Sequence, residues 1–336
     1  MLKPLVAAAA ATIVGISASA CTGDRNAPAA DHVDKVSYLT AVGAFGRESY
    51  VWVAQEKGFF AAANIDVQIL PGSGTTDNLA LLAAGKADFS ANDLSAVMIV
   101  LSGGKHRDDV RAVAAIQQRT LNSVTTLSST GVAAPRDLAG RTIGGVAGGA
   151  PWLLFPAYAR LAGVDLRTVR WVHAEAAQLP PALAAGRVEG IGTFVVARPG
   201  VEKAARGRTV VVLPYSDVLT DLYGNALLAA TRVVRDDPDL VRRFGQALLK
   251  GLVYAVEHPE EAGQILHRRV PAQDPATAAA ELTLMRPYVR VNGAVGDIES
   301  TRVARAIAIL SGAGVLTGPL EPDDVVAFDA TVGGVR

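Results

Sequence analysis

The stretch from Val36 to Ala96 alternates strand-like and helix-like patterns, and this alternation restricts the fold more than any other feature of the chain. Val36, Tyr38, Thr40 and Val42 share one parity, as a strand requires, and the glycine-bearing loop Gly43–Glu48 follows. A helix then starts at Tyr50 and stops at Gly58. Ile65, Val67, Ile69 and Leu70 form a second strand ended by Pro71-Gly72, a second helix covers Asp77–Ala84 with Gly85 as its cap, and Ala87–Ser90 is a short third strand. Strands alternating with helices predict a parallel sheet with right-handed crossovers, and such sheets bind ligands beyond the carboxyl ends of their strands. Phe45–Tyr50, Gly72–Thr76 and Asn92–Ser95 therefore share one rim, the best candidate site in the sequence.

The pattern recurs. Ala63-Asn64-Ile65-Asp66-Val67 is echoed by Ala162-Gly163-Val164-Asp165-Leu166, and Leu82-Ala83-Ala84-Gly85 by Leu183-Ala184-Ala185-Gly186, in the same order. The period is too long for a solenoid and predicts two similar lobes. It also aligns a second rim, Ala147–Trp152, His173–Gln178 and Gly192–Val195, with the first. Two facing rims make a cleft, a common place for a ligand. Val110–Ile116 reads as a fourth strand and Thr209–Leu213 as the strand closing the second lobe, while Ser123–Leu127 and Tyr223–Ala229 read as the two extended connections of a hinge. Beyond these, helices are expected from Asp237-Pro238 to His258, from Pro259, over Ala276–Tyr288 and over Thr301–Ser311, covering the first lobe's sheet.

Composition narrows the function. Lys plus Arg equals Asp plus Glu at 32 each, which gives no basic surface for nucleic acid. The N-terminus carries Lys3, an apolar run from Leu5 to Ile16, and Ala18-Ser19-Ala20 directly before Cys21, the chain's single cysteine. This is a secretory signal over residues 1–20 with a lipobox-like cleavage site, and it predicts a lipidated Cys21, a tether over 21–35, and a protein held at the outer face of a bacterial membrane. One cysteine excludes a disulfide framework and a cysteine-ligated zinc site.

The chain has no phosphate-binding Walker loop, no His-Glu-x-x-His and no Gly-x-Ser-x-Gly, and its five histidines are scattered; of them, His173 alone falls on a rim. No metal or cofactor is expected. Ser73, Gly74 and Thr75 offer backbone N–H groups ahead of a helix. Arg47 suits a carboxylate, sulfonate or phosphate, whereas Asp93 suits an N–H donor or cation, or else caps the helix after it. Tyr50, Trp152, Phe194 and Tyr223 are scarce aromatics near rims or hinge and together favour a flat organic ligand over a bare oxyanion. Gln178 lies on the second rim and Gln118 near the hinge.

Several segments resemble the NMT1/THI5-like substrate-binding proteins of ABC transporters. They are Val53-Ala54-Gln55-Glu56-Lys57-Gly58-Phe59-Phe60, Pro71-Gly72-Ser73-Gly74, Ala84-Gly85-Lys86-Ala87-Asp88-Phe89, Asp137-Leu138-Ala139-Gly140-Arg141-Thr142-Ile143-Gly144 and Ala185-Gly186-Arg187-Val188-Glu189. The resemblance implies an α/β type II periplasmic-binding-protein fold: two lobes with mainly parallel sheets closing on a ligand about a two-crossing hinge. Lobe 1 would comprise residues 36–122 and 229–336, and lobe 2 residues 123–228. It implies a monomer that serves an ABC permease and ATPase and binds thiamine-type pyrimidines, riboflavin-like compounds, alkanesulfonates, taurine or nitrate. Asp93 and the aromatics favour a pyrimidine; Arg47 favours a sulfonate. Pyrimidine-synthase enzymes share the domain but carry a Cys-rich motif and use a histidine and iron; with one cysteine outside the fold, the expectation is no enzyme. A sensor that reports ligand state to a signalling partner is a third possibility.

Overall fold

The computed structural model describes residues 32–290 and 295–334. The signal, lipobox and tether expectations, Cys21 included, fall almost wholly outside them. No helix among the described residues is long and apolar enough to cross a membrane.

Ten strands form two sheets. The first four are β1 (Asp34–Leu39), β2 (Ile65–Leu70), β3 (Phe89–Asp93) and β4 (Val110–Ala115). The chain then crosses to a second group, β5 (Asn122–Leu127), β6 (Thr142–Gly145), β7 (Arg170–His173), β8 (Gly190–Phe194) and β9 (Val210–Pro214), and returns for β10 (Asn225–Ala230). The sheet orders are β2-β1-β3-β10-β4 and β7-β6-β8-β5-β9. Position by position, the second repeats the first, which bears out the duplicated architecture read from the two sequence echoes.

The sheets are mixed where mainly parallel ones were expected. β1 pairs in parallel with β2 and β3, and β6 with β7 and β8. β10 is antiparallel to β3 and β4, and β5 is antiparallel to β8 and β9. The segments read as hinge connections are thus interior strands, each inserted into a sheet just after the chain has crossed into it. Their local pattern does not betray this, because every residue of Asn122–Leu127 and of Asn225–Ala230 is buried, so neither strand shows alternation. The crossings themselves lie at residues 116–121 and 215–224 and are tied together, with Gly224 N–H donating to Gln117 O at 3.1 Å and Thr120 N–H to Leu222 O at 3.0 Å.

The third strand also runs later than expected, ending at Asp93 instead of Ser90. Asp93 is therefore both the last strand residue and the cap of the helix Leu94–Ser102. The long helix Pro238–Glu257 begins as its Asp-Pro signal predicts, with Asp237 accepting from Leu240 N–H at 2.9 Å. Its Phe244 stacks on Phe89 of β3 with centroids 4.1 Å apart, and on Phe60 at 5.1 Å. Complete burial of a side chain of this size stabilises by roughly 1.5–3 kcal/mol, so this aromatic stack anchors the helix to the first sheet. A different helix, Pro275–Val289, packs on both Gly46–Glu48 and Val195–Ala197 and so touches both rims instead of only covering the first sheet. Its approach is close: a Cβ on Gly46 would lie 2.5 Å from the Ala278 Cα.

Candidate functional site

The loop after β1 turns sharply. Gly43 adopts φ +61°, and Gly46–Glu48 form a short 3-10 turn that buries Arg47 and Glu48 beneath the helix Pro275–Val289. Three groups meet there. Arg47 N–H donates to Glu281 Oε2 at 3.0 Å, and the guanidinium Nη1 lies 3.7 Å from the same oxygen. Arg47 Nε stands 4.0 Å from Glu48 Oε1. The guanidinium carbon sits 4.5 Å from the ring centroids of both Phe45 and Phe194, a cation held between two aromatic faces.

Phe45, Arg47, Phe194 and Glu281 line the buried end of a cavity of about 800 Å3, while Glu48 is buried outside the lining. The first lobe contributes Val42, Phe45 and Arg47; the helix Pro275–Val289 contributes Thr277 and Glu281. The second lobe supplies Gly192, Thr193 and Phe194 from the end of β8, and a wall of small apolar residues that includes Ala177, Pro180, Pro181 and Ala204. Lys203, Arg206, Arg208 and Asp274 line its more exposed part. There Lys203 pairs with Asp274 at 3.0 Å, and hydrogen bonds from Thr277, with that lysine, hold the Asp274 carboxyl down at about 2.

Electrostatically the buried end leans acidic. Burial pushes the Glu48 carboxyl up to about 7 although Arg47 opposes this, and burial likewise raises Glu281. Glu48 Oε2 accepts from Tyr50 O–H at 3.3 Å and Ala41 N–H at 3.4 Å, whereas its Oε1 is buried with no hydrogen-bond partner. One guanidinium facing two carboxyl groups leaves acceptor capacity in excess, which suits a ligand rich in N–H donors.

The residues expected at the site separate into several groups. Arg47 and Phe194 line the cavity together. Tyr50 is fully buried, sharing a hydrogen bond of 3.1 Å with Tyr38 and donating to Glu48, so it supports the site from behind. Asp93 is likewise behind the wall: Oδ1 caps Ser95 and Ala96 N–H, and Oδ2 accepts from Asn122 Nδ2 at 2.8 Å and Thr120 Oγ1 at 3.3 Å. Asn122 pairs with Phe194 across β5 and β8, so Asp93 and Phe194 belong to one neighbourhood between the sheets.

Ser73, Gly74 and Thr75 lie where the two rims touch, and they contribute no side chain to the cavity lining. Thr76 N–H donates to Gly148 O at 3.2 Å, and a Cβ on Gly74 would lie 3.3 Å from the Gly149 Cα. Trp152 packs on Trp171 with centroids 5.0 Å apart, and Trp171 in turn fills space left by Gly145 and Gly192. Gln118 and Tyr223 lie in the two crossings between the sheets. Gln118 receives Arg302 and donates to Asp297 O at 3.0 Å, while Arg302 stacks on the Tyr223 ring at 3.9 Å. Gln178 is exposed beside the cavity wall. His173 is exposed too, accepting from Ala147 N–H at 3.2 Å.

Phe45, Glu48 and Glu281 were not singled out by the sequence. A signal for Glu281 exists: with Ala278, Leu282 and Met285 it completes an i, i+3, i+4, i+7 face, and a carboxylate on an apolar helix face demands a partner.

Residues 49–262 match the family described as NMT1/THI5 like. The chain belongs to that family. Among curated relatives, it is 26% identical over 222 residues to a formylaminopyrimidine-binding protein of Halalkalibacterium halodurans, covering 65% of each chain. It is 31% identical over 112 residues to a 4-amino-5-hydroxymethyl-2-methylpyrimidine phosphate synthase of Uromyces fabae, covering 33% of this chain and 32% of that one. Among solved structures, it is similar to the alkanesulfonate-binding protein SsuA from Xanthomonas axonopodis pv. citri bound to MOPS, with TM-score 0.69, 15% identity, and coverage of 90% and 99% of the two chains. That likeness bears on the fold, which is the periplasmic-binding-protein fold expected from the resemblance.

Proposed function

We propose that this protein is the extracytoplasmic, lipid-anchored solute receptor of an ABC importer, that it delivers its ligand to a permease and ATPase, and that the ligand is a small aminated heteroaromatic of the thiamine-pyrimidine type. The observation that carries the ligand class is the buried end of the cavity, where the Phe45 and Phe194 rings both lie 4.5 Å from the Arg47 guanidinium carbon and Glu281 lines the wall, with the Glu48 carboxyl buried 4.0 Å from Arg47 Nε. Aromatic faces bind a flat ring, and carboxylates accept from its amino groups. A relative named for binding a formylaminopyrimidine supports the same reading.

An alkanesulfonate is the alternative within this class, supported by Arg47 in the lining. An anion placed on Arg47, however, would also stand close to the Glu48 and Glu281 carboxyl groups, which repel it to the extent that they are ionised. A synthase activity has weaker support. The synthase relative matches a third of the chain, and among the described residues no group of three or more His, Cys, Asp or Glu is placed to hold a metal ion.

Thermal denaturation with formylaminopyrimidine and with taurine separates the readings. Ligand binding raises stability by RT ln(1 + [L]/Kd), so an excess of about a hundredfold over Kd adds ~2.7 kcal/mol. The expected result is a rise in Tm with the pyrimidine alone; a rise with taurine alone would reverse the assignment.

A further inference from the structure

The Arg47 guanidinium fits its surroundings by shape but meets few of their hydrogen-bonding needs. It lies between the Phe45 and Phe194 rings, 4.5 Å from each centroid, as a stacked planar ligand would. Its nitrogens stop 3.7 Å from Glu281 Oε2 and 4.0 Å from Glu48 Oε1, outside hydrogen-bond range. Arg–carboxylate pairs frequently fork through two short parallel bonds of about 2.7–2.9 Å. Here that fork is missing, and Glu48 Oε1 is left buried without a hydrogen-bond partner. Arg47 also lines the cavity of about 800 Å3, so its long side chain has space to move into.

We infer that the slot between Phe45 and Phe194 is a subsite for a flat amidine-like cation, such as the protonated edge of an aminopyrimidine, and that the Arg47 guanidinium is a stand-in that leaves when the ligand enters. This deepens the pyrimidine reading above and rests on it for the ligand's identity. A planar cation matches both aromatic faces, and paired N–H donors along one edge match the carboxyl groups of Glu48 and Glu281. The ligand takes over the two partners that Arg47 approaches without bonding. Burial raises the Glu48 carboxyl to about 7, so near neutral pH it can exchange a proton with a ring nitrogen as the ligand settles. Occupancy by Arg47 lowers apparent affinity by the fraction of molecules in which the slot is filled.

The test is titration calorimetry of the full chain and of Arg47→Ala with two probes, formylaminopyrimidine and benzamidine, the latter a bare aromatic amidinium. Removing the stand-in is expected to tighten benzamidine binding by about tenfold or more, as loss of a competing pair of cation–π contacts implies, and to leave formylaminopyrimidine no weaker. Adding Phe194→Ala should abolish the gain. If Arg47→Ala fails to fold, Arg47→Gln removes the charge while keeping a planar end and should show the same tightening. Unchanged or weakened benzamidine binding in the variants would overturn the proposal, as would a loss of formylaminopyrimidine affinity of tenfold or more, which would make Arg47 a direct ligand contact. Tighter benzamidine binding with no formylaminopyrimidine binding in any variant would support the subsite while defeating the pyrimidine assignment.

Discussion

The two rims descend from one repeated architecture, yet they carry unequal chemistry. After β1, the loop Gly43–Glu48 turns inward and buries Arg47 and Glu48, with Arg47 against Glu281 and beside the half-buried Phe45. After β6, the equivalent loop bends at Gly148 with φ +72°, reaches across to Thr76, and leads into Trp152, which packs within its own lobe. The first rim thus concentrates charge and hydrogen-bonding capacity. The second supplies Phe194, a wall of alanine and proline, and a backbone latch. The division teaches that one architecture can concentrate ionisable groups on one side of a cleft: they are expensive to bury and are kept where several partners already surround them.

The largest way to break this asymmetry is to strip the first rim. Glu281→Ala leaves Arg47 without its nearest carboxylate, and removing one partner of a buried pair costs about 3–5 kcal/mol. Denaturant titration should show that loss, and calorimetry should show aminopyrimidine affinity falling by about a hundredfold, for loss of a buried charge-assisted contact.

pH sharpens the same comparison. Burial raises Glu48 from 4.5 to about 7, so the folded state holds this proton more tightly than the unfolded chain. Its stabilising contribution is fully present below 4.5 and is lost as pH rises through about 7, an effect of up to ~3 kcal/mol. Burial of Asp93, raised from 3.8 to about 6, acts in the same direction. Glu48→Gln should therefore flatten the fall in stability between pH 4.5 and 7 seen by urea denaturation, and an unchanged profile would refute the buried-carboxyl account.

Attacking the second rim should produce a smaller and different effect. Gly148→Ala forces a side chain onto a left-handed residue and sets its Cβ 2.8 Å from Thr76 Oγ1, at a cost of about 1–2 kcal/mol. The backbone part of this strain stays with the turn, while the clash with Thr76 is relieved if the rims separate, so small-angle scattering should report a slightly larger radius of gyration without ligand. At the exposed part of the cavity, Lys203→Ala removes an ion pair in which lysine is 63% and Asp274 42% exposed. Such pairs contribute about 0–1 kcal/mol, and both stability and ligand affinity should hardly change.

Much of the fold was legible because it is written in local periodicity: β1, β2 and the helices between them need only alternation, glycine stops and caps. The echoes added the second sheet. What stayed hidden was membership of a distant sheet, since Asn122–Leu127 and Asn225–Ala230 are buried on both faces and give no sidedness to read. The site followed the same rule. Phe194 ends β8 and Arg47 lies in the loop after β1, and topology alone places both on the rims. Tyr50 and Asp93 belong to the first rim too, but an aromatic ring and a capping carboxylate are also what a core and a helix start require, and those uses took both residues. Glu281 comes from a helix whose docking on both rims is decided by tertiary packing around Gly46 and Ala278.

The proposed receptor holds a flat, amino-bearing ring at the acidic, aromatic-lined end of the cleft. A crystal structure of the chain with formylaminopyrimidine tests this most directly. It should show the ring stacked on Phe194 with an amino group within hydrogen-bond reach of Glu281 or Glu48; a pyrimidine bound elsewhere, with Arg47 still between Phe45 and Phe194, would contradict it.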